Sequence, residues 1–183
     1  MKKHFSVVAL LVLVFASSNA MAMIGFSVVG GAGVGLNSSS GTFGGGLITA
    51  NIKSGIGYGG GVLFNLGLGV NSLEFGAIYM GTKTTATLNG VATDTTANTL
   101  SIPALVRFGG MWSLGVGGYY DLAMTSGNTS DYGVTAGPRL SLPGGLFFEA
   151  RYKYGLKSTD IPFDIPTSVH TQVALLLAGF RFK

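Results

Sequence analysis

Residues 112–124, WSLGVGGYYDLAM, decide the fold. Trp112, Leu114, Val116, Tyr120, Leu122 and Met124 are apolar, while Ser113, Gly115, Gly117, Tyr119 and Asp121 between them are small or polar. A repeat of two residues belongs to a strand with one greasy face, because successive side chains of a strand point to opposite sides. The same division recurs in residues 24–36, 56–66, 73–81, 100–108, 132–142, 146–156 and roughly 174–182. That makes eight segments, most of them near the roughly 9–11 residues that a tilted strand needs to cross a bilayer.

Composition says which solvent those greasy faces meet. Hydrophobic residues make up 47% of the 183 residues and charged residues only 10%, far below the roughly 25% charge of a soluble domain. A soluble sandwich would turn its greasy faces inward and need richly charged outer ones. The 31 glycines accompany only 5 prolines, so the chain is neither collagen-like nor a polar linker. Its length suits one domain.

The start of the chain, MKKHFSVVALLVLVFASSNAMA, has a basic beginning at Lys2 and Lys3, an apolar run over residues 5–15 and small residues at Ala20 and Ala22. This reads as a secretory signal peptide over residues 1–22, cleaved after Ala22 or Ala20, with the mature domain over 23–183. The apolar run falls short of the roughly 20 residues of a spanning helix. Removal of Lys2 and Lys3 leaves nine basic against seven acidic side chains, a net charge of +2, so the basic balance gives no argument for nucleic acid. The absence of cysteine excludes disulfides, thiolate metal sites and a lipid-modified N-terminal cysteine. No later apolar run approaches a helical span, so entry into a membrane is by strands.

The connections alternate in length. Residues 67–71, 109–111 and 143–145 are tight turns, whereas 37–55, 82–99, 125–131 and 157–168 are longer and polar. Short turns at one end and long loops at the other are the pattern of an outer-membrane barrel. Residues 42–52 resemble a ninth strand. Because closure favours an even count, they are assigned to the first outer loop or to an extension of the second strand. The fold class is therefore all-β, an eight-stranded antiparallel up-and-down transmembrane β-barrel. Aromatic residues give the orientation: Phe26, Phe64, Phe75, Phe108, Trp112, Phe148, Phe180 and Phe182 lie near the tight turns, and Tyr58, Tyr79, Tyr120, Tyr132 and Tyr154 toward the long loops. Two bands at opposite strand ends fit the girdles at the two headgroup layers.

Charged residues alternate with the apolar face, which puts them in the lumen, since a midplane Arg or Lys facing lipid costs roughly 2–4 kcal/mol. Glu74, Arg107, Arg139, Glu149, Arg151, Lys153 and Arg181 all fall there. Glu74, Arg107, Arg139, Glu149 and Arg181 share a depth near the tight-turn end. The expectation is that Glu74 and Glu149 neutralise Arg107, Arg139, Arg151 and Arg181 in a structural cluster.

The segments TLSIPALVRFGG, WSLGVGGYYDL, DYGVTAGPRLSL, FFEARYKYGL and LLLAGFRF, with GGGVLFNLGLGVNSLEFGAIYMGTK before them, resemble the small outer-membrane β-barrel proteins of Gram-negative bacteria, the group that includes the OmpA transmembrane domain, OmpX-like and PorT-like barrels. The resemblance covers residues 55–183. It implies residence in the bacterial outer membrane among its lipids and insertion by the barrel-assembly machinery, and it implies no single function. The family usually ends on an aromatic residue; here Lys183 follows Phe182.

Other chemistries have thin support. The run GGAGVG at residues 30–35 lacks the strand-turn-helix setting and later acidic partner of a dinucleotide site, and suits lumen-facing glycine in a narrow barrel, as do Gly57, Gly59 and Gly61. His170, the one histidine of the mature domain, lies beside Ser168 and Thr171 with Asp160 and Asp164 in the preceding loop. Some eight-stranded barrels are lipid A hydrolases using such groups, but no motif of theirs carries over, and a hydrogen-bonded rim histidine is the plainer reading. Nothing here calls for a cofactor or a metal. Eight strands enclose little more than their own side chains, so a porin-scale channel is not expected, although inward glycines leave room for water. The leading expectation is a non-enzymatic barrel whose outer loops bind or protect, with a lipid-modifying enzyme or a small gated channel as alternatives. In the second long connection, after the third strand, KTTATLNGVATDTTAN, the threonines favour strand and Asn89-Gly90 favours a two-residue turn. A hairpin rising above the membrane is expected there, a candidate contact for an extracellular protein.

Overall fold

The computed structural model describes residues 23–36, 38–43, 48–125, 130–159 and 169–182. The expected signal peptide lies outside them. Nine strands are present among the described residues: β1 Met23–Gly35, β2 Ser38–Phe43, β3 Ile48–Leu68, β4 Asn71–Leu88, β5 Val91–Gly109, β6 Trp112–Ala123, β7 Asp131–Ser141, β8 Leu146–Thr159 and β9 Val169–Phe182, with one 3-10 turn at Pro143–Gly145. Each strand from β3 to β9 pairs antiparallel with the next, and β1 pairs with both β3 and β9. The ring β1, β3–β9 is thus a closed eight-stranded up-and-down barrel with no free edge through its body.

The ninth strand, β2, stands outside that ring. It pairs with β3 alone, from Ser38↔Lys53 to Phe43↔Ile48. Residues 48–52 do extend the second barrel strand, while 38–43, which the alternation does not mark, make a separate arm. Strands also run much further than apolar alternation suggests: β3, β4 and β5 have 21, 18 and 19 residues. The excess forms a small sheet, β2-β3-β4-β5, above the barrel rim. Its base is marked by a register shift between Ser54 and Gly57, the local extra twist expected where a ladder changes direction. The β4-β5 hairpin forms as the sequence suggests. Its arms pair continuously from Thr82↔Ala97 to Leu88↔Val91. Asn89 and Gly90 have φ of 48° and 83°, the double positive φ that lets a two-residue turn follow the strand twist.

Inward and outward positions separate cleanly. Outward residues on neighbouring strands, such as Val28, Ile102, Val116, Val134 and Leu176, are exposed, and every outward position from Trp112 to Tyr120 of β6 and from Tyr132 to Leu140 of β7 is apolar, aromatic, glycine or proline. An exposed apolar surface running around a whole barrel far exceeds what a soluble monomer carries. At the tight-turn end, Phe26 packs on Phe64 and Phe182 with ring centroids 5.5 and 5.8 Å apart, and Phe64 stacks on Phe75 at 5.6 Å. Tyr58, Tyr79, Tyr120 and Tyr132 are exposed toward the other end.

The lumen is filled by two unlike halves. Val29, Leu63, Ile78, Met80, Phe147, Leu175 and Leu177 pack into an apolar cluster on the side of β1, β3, β4, β8 and β9. Polar and charged groups, chiefly from β4–β8 and joined by Ser27 of β1 and Asn65 of β3, fill most of the rest. Inward glycines chiefly permit close approach between strands: a Cβ added at Gly61 would run into the Ala77 carbonyl and the Ile78 backbone. Pro103 and Pro138 sit inside strands, where neither can donate to a ladder. The β4-β5 pairing skips from Phe75↔Ala104 to Ile78↔Ser101, beside Pro103, and the β7-β8 pairing from Ala136↔Tyr152 to Arg139↔Glu149, beside Pro138, with the register unchanged in both.

Candidate functional site

Period-two geometry brings charge to one depth of the barrel. Glu74 on β4, Arg107 on β5, Arg139 on β7 and Glu149 and Arg151 on β8 are all inward, and each is at most 3% exposed. Arg107 reaches Glu74 with Nε to Oε2 and Nη2 to Oε1, both at 3.0 Å, and its Nη2 also donates to Glu149 Oε1 at 2.5 Å. Arg139 donates to Glu149 Oε2 from Nε at 3.0 Å and from Nη2 at 2.6 Å, with Nη2 2.6 Å from Glu74 Oε2 as well. Arg151 bridges the two acids, from Nε to Glu149 Oε1 at 2.8 Å and from Nη2 to Glu74 Oε1 at 2.9 Å. Three of the four carboxylate oxygens therefore accept two charged hydrogen bonds, and the fourth, Glu74 Oε2, accepts one from Arg107 and is in ion-pair contact with Arg139. This is the strong, geometry-fixing kind of contact that planar guanidinium groups make.

Arg181, grouped with these residues on sequence depth, makes none of these bonds. Its backbone pairs with Ser27, two inward positions beyond Leu177, the residue opposite Glu149. Between those levels lies Phe147, 1% exposed, with the Arg139 guanidinium 4.1 Å over its ring. Arg181 runs past Gly25, where an added Cβ would lie 3.5 Å from Arg181 Cδ, and lines a cavity of about 180 Å³ with the turn between β7 and β8.

Above the charge layer is a second arrangement that alternation alone does not announce. Lys153 Nζ contacts both Asp121 oxygens at 2.7 and 2.6 Å, donates to Ser101 at 3.0 Å, and lies 4.0 Å over the Tyr119 ring. Tyr119 in turn donates to Asp131 at 3.4 Å. Between the two layers is a cavity of about 10 Å³, lined by Ile78, Ser101, Tyr119, Thr135, Arg151 and Lys153 among others. That is the room of one water molecule.

The remaining sequence candidates are placed as follows. Gly30 to Gly35 lie within β1 and pair with β3 and β9, as the strand reading of that run expects. His170 stacks on Tyr154 with ring centroids 5.4 Å apart, and the Tyr152 hydroxyl donates to Gln172 at 3.0 Å. Asp160, Asp164 and Ser168 lie outside the described residues, which contain no group of three or more His, Cys, Asp or Glu side chains able to hold a metal.

Among solved structures, the chain is similar to the outer membrane protein OprG from Pseudomonas aeruginosa, with a TM-score of 0.53 over 88% of this chain and 96% of that one. At 15% identity the likeness shows the fold alone. The translocator domain of the autotransporter NalP from Neisseria meningitidis aligns over 98% of this chain and 96% of its own at 11% identity, but its TM-score of 0.33 carries no argument. No family model matches the chain, and neither does any curated protein.

Proposed function

We propose that this chain is an integral protein of the bacterial outer membrane, a non-enzymatic barrel that holds a raised β-sheet at the cell surface for binding or protection. One observation carries the reading: the closed barrel turns a continuous apolar surface outward between a phenylalanine band and a tyrosine band, while Glu74, Arg107, Arg139, Glu149, Arg151 and Lys153 are sealed inside. A barrel with lipid around it satisfies every backbone group internally, as a bilayer requires. Membrane lipids are its solvent, and the barrel-assembly machinery is the expected partner in insertion. The lumen is occupied by Leu63, Ile78, Leu105, Phe147 and the arginine-glutamate layer, which favours an anchor over an open pore.

The raised sheet is the part left to meet other molecules. Along residues 91–97, β5 pairs on one side with β4; on its other side Asn98 is already tied to Met124 and Thr125, and the pairing with β6 begins at Thr99↔Ala123. Such an edge can accept a strand from an extracellular protein. The test is refolding of residues 23–183 in detergent. The expected result is a β-rich species whose mobility on unheated gels differs from that of the boiled chain. A helix-dominated circular dichroism spectrum, or a stable monomer in plain buffer, contradicts the proposal.

A further inference from the structure

Three arginines already outnumber the two acids of the arginine-glutamate layer, and the carboxylates have no capacity left for a fourth. Every oxygen of Glu74 and Glu149 already lies within 3.0 Å of two or more nitrogens of Arg107, Arg139 and Arg151. Arg181 is a fourth guanidinium against two acids, and its Nε is buried without a hydrogen-bond partner. It lines the 180 Å³ cavity at the tight-turn mouth together with Ser141, Pro143, Gly144, Gly145 and Phe147. This cavity is far larger than the single-water space between the layers. Phe147, beneath Arg139, lies between the cavity and the saturated acids.

From the charge excess, the unpartnered Nε and the cavity beside it, we infer that Arg181 and the β7-β8 turn form an oxyanion site for a phosphate group. Guanidinium is suited to it, since its planar fork holds two oxygens of a phosphate or carboxylate at once. Phosphate is favoured over carboxylate because the site opens beside the phenylalanine band, at the level where a bilayer presents its headgroups. A cation in that interface is drawn to lipid phosphates, and the same chemistry would take free phosphate. No transport or catalysis is implied; the ligand offsets an unpaired, half-buried charge and ties the mouth of the barrel to the headgroup layer.

The experiment measures the urea midpoint of the refolded protein in maltoside detergent, which contains no phosphate, as inorganic phosphate replaces chloride at constant ionic strength. The expected result is a midpoint that rises with the logarithm of phosphate concentration, as binding to the native state requires, with apparent affinity about tenfold weaker or worse in Arg181→Gln. The control Lys157→Gln removes an exposed cation that donates to the Ser130 carbonyl and should respond like the parent. Equal responses of parent and Arg181→Gln overturn the site, as does a flat parent response. Should Arg181→Gln fail to refold, broadening of the phosphorus resonance by the parent, reversed by excess sulfate and not by chloride, supports the site, and unbroadened phosphate overturns it. Repetition in phosphatidylglycerol bilayers separates the sources. Loss of the free-phosphate response there assigns the site to a lipid headgroup, and its persistence assigns it to soluble phosphate.

Discussion

Glu149 accepts from three arginines at once, and its removal would leave Arg107, Arg139 and Arg151 dependent on Glu74 alone. Breaking a buried ionic arrangement by deleting one partner costs about 3–5 kcal/mol. Glu149→Ala is therefore expected to lower the urea midpoint of the refolded barrel clearly. It should also raise conductance in a planar bilayer, because the obstruction loses its central tie. An unchanged midpoint would show that the layer does not stabilise the fold. That Glu74, Arg107, Arg139, Glu149 and Arg151 face inward was legible from alternation, because charge beside an apolar residue assigns both faces of a strand. Their exact partners were not. The Lys153–Asp121 pair joins β6 to β8 across the intervening β7, and such a contact depends on register and lumen width, neither of which alternation encodes. In LLLAG, residues 175–179, both faces are apolar or small, so the inward Leu175 and Leu177 leave no periodic trace.

At the scale of elements, the sequence marks the membrane-crossing part of each strand better than its ends. Above the rim both faces meet water, so the apolar repeat fades while the backbone ladder continues. Threonine content and the Asn89-Gly90 pair were the signals that survived, and they placed the β4-β5 hairpin correctly. The arm β2, which has neither, was missed. The hairpin extends about 17 Å from Lys83 to Leu88, at roughly 3.3 Å per residue, braced by Thr85 donating to Asp94 at 2.8 Å. Deleting residues 84–96 should leave refolding and heat-dependent gel mobility intact, since these residues contribute nothing to the ring, while removing any surface binding that depends on them. In the parent, the amides of Thr87, paired with Asn51 of β3, and of Val91, paired with Leu88 across the turn, should exchange more slowly than those of an unstructured peptide; peptide-like exchange would contradict the hairpin. Within the ring, Gly61→Val should do the opposite and block refolding, because its Cβ has no space against the Ala77 carbonyl and the neighbouring ladder cannot move away in a closed barrel.

For the whole molecule, the two ends of the barrel are unlike, and that asymmetry predicts an orientation. At one end the connections are the two-residue turn Gly69-Val70, the turn at Gly110-Met111 and the 3-10 turn Pro143–Gly145; at the other the β2-β3-β4-β5 sheet rises beyond the rim. Outer-membrane barrels place short turns in the periplasm and long connections outside, and the phenylalanine and tyrosine bands lie correspondingly toward the two ends. The chain has no cysteine, so one introduced thiol reports one position. Val91 at the hairpin tip and Met111 in a tight turn are 70% and 59% exposed, so Val91→Cys and Met111→Cys should be tolerated and reactive in the folded protein. In intact cells a membrane-impermeant maleimide is expected to label Val91→Cys and to spare Met111→Cys, with both labelled once the outer membrane is opened. Reversed labelling would show an inverted barrel. Labelling of Met111→Cys in intact cells to the level of Val91→Cys would mean that no membrane separates the two ends, and the apolar outer surface would then need another partner than lipid.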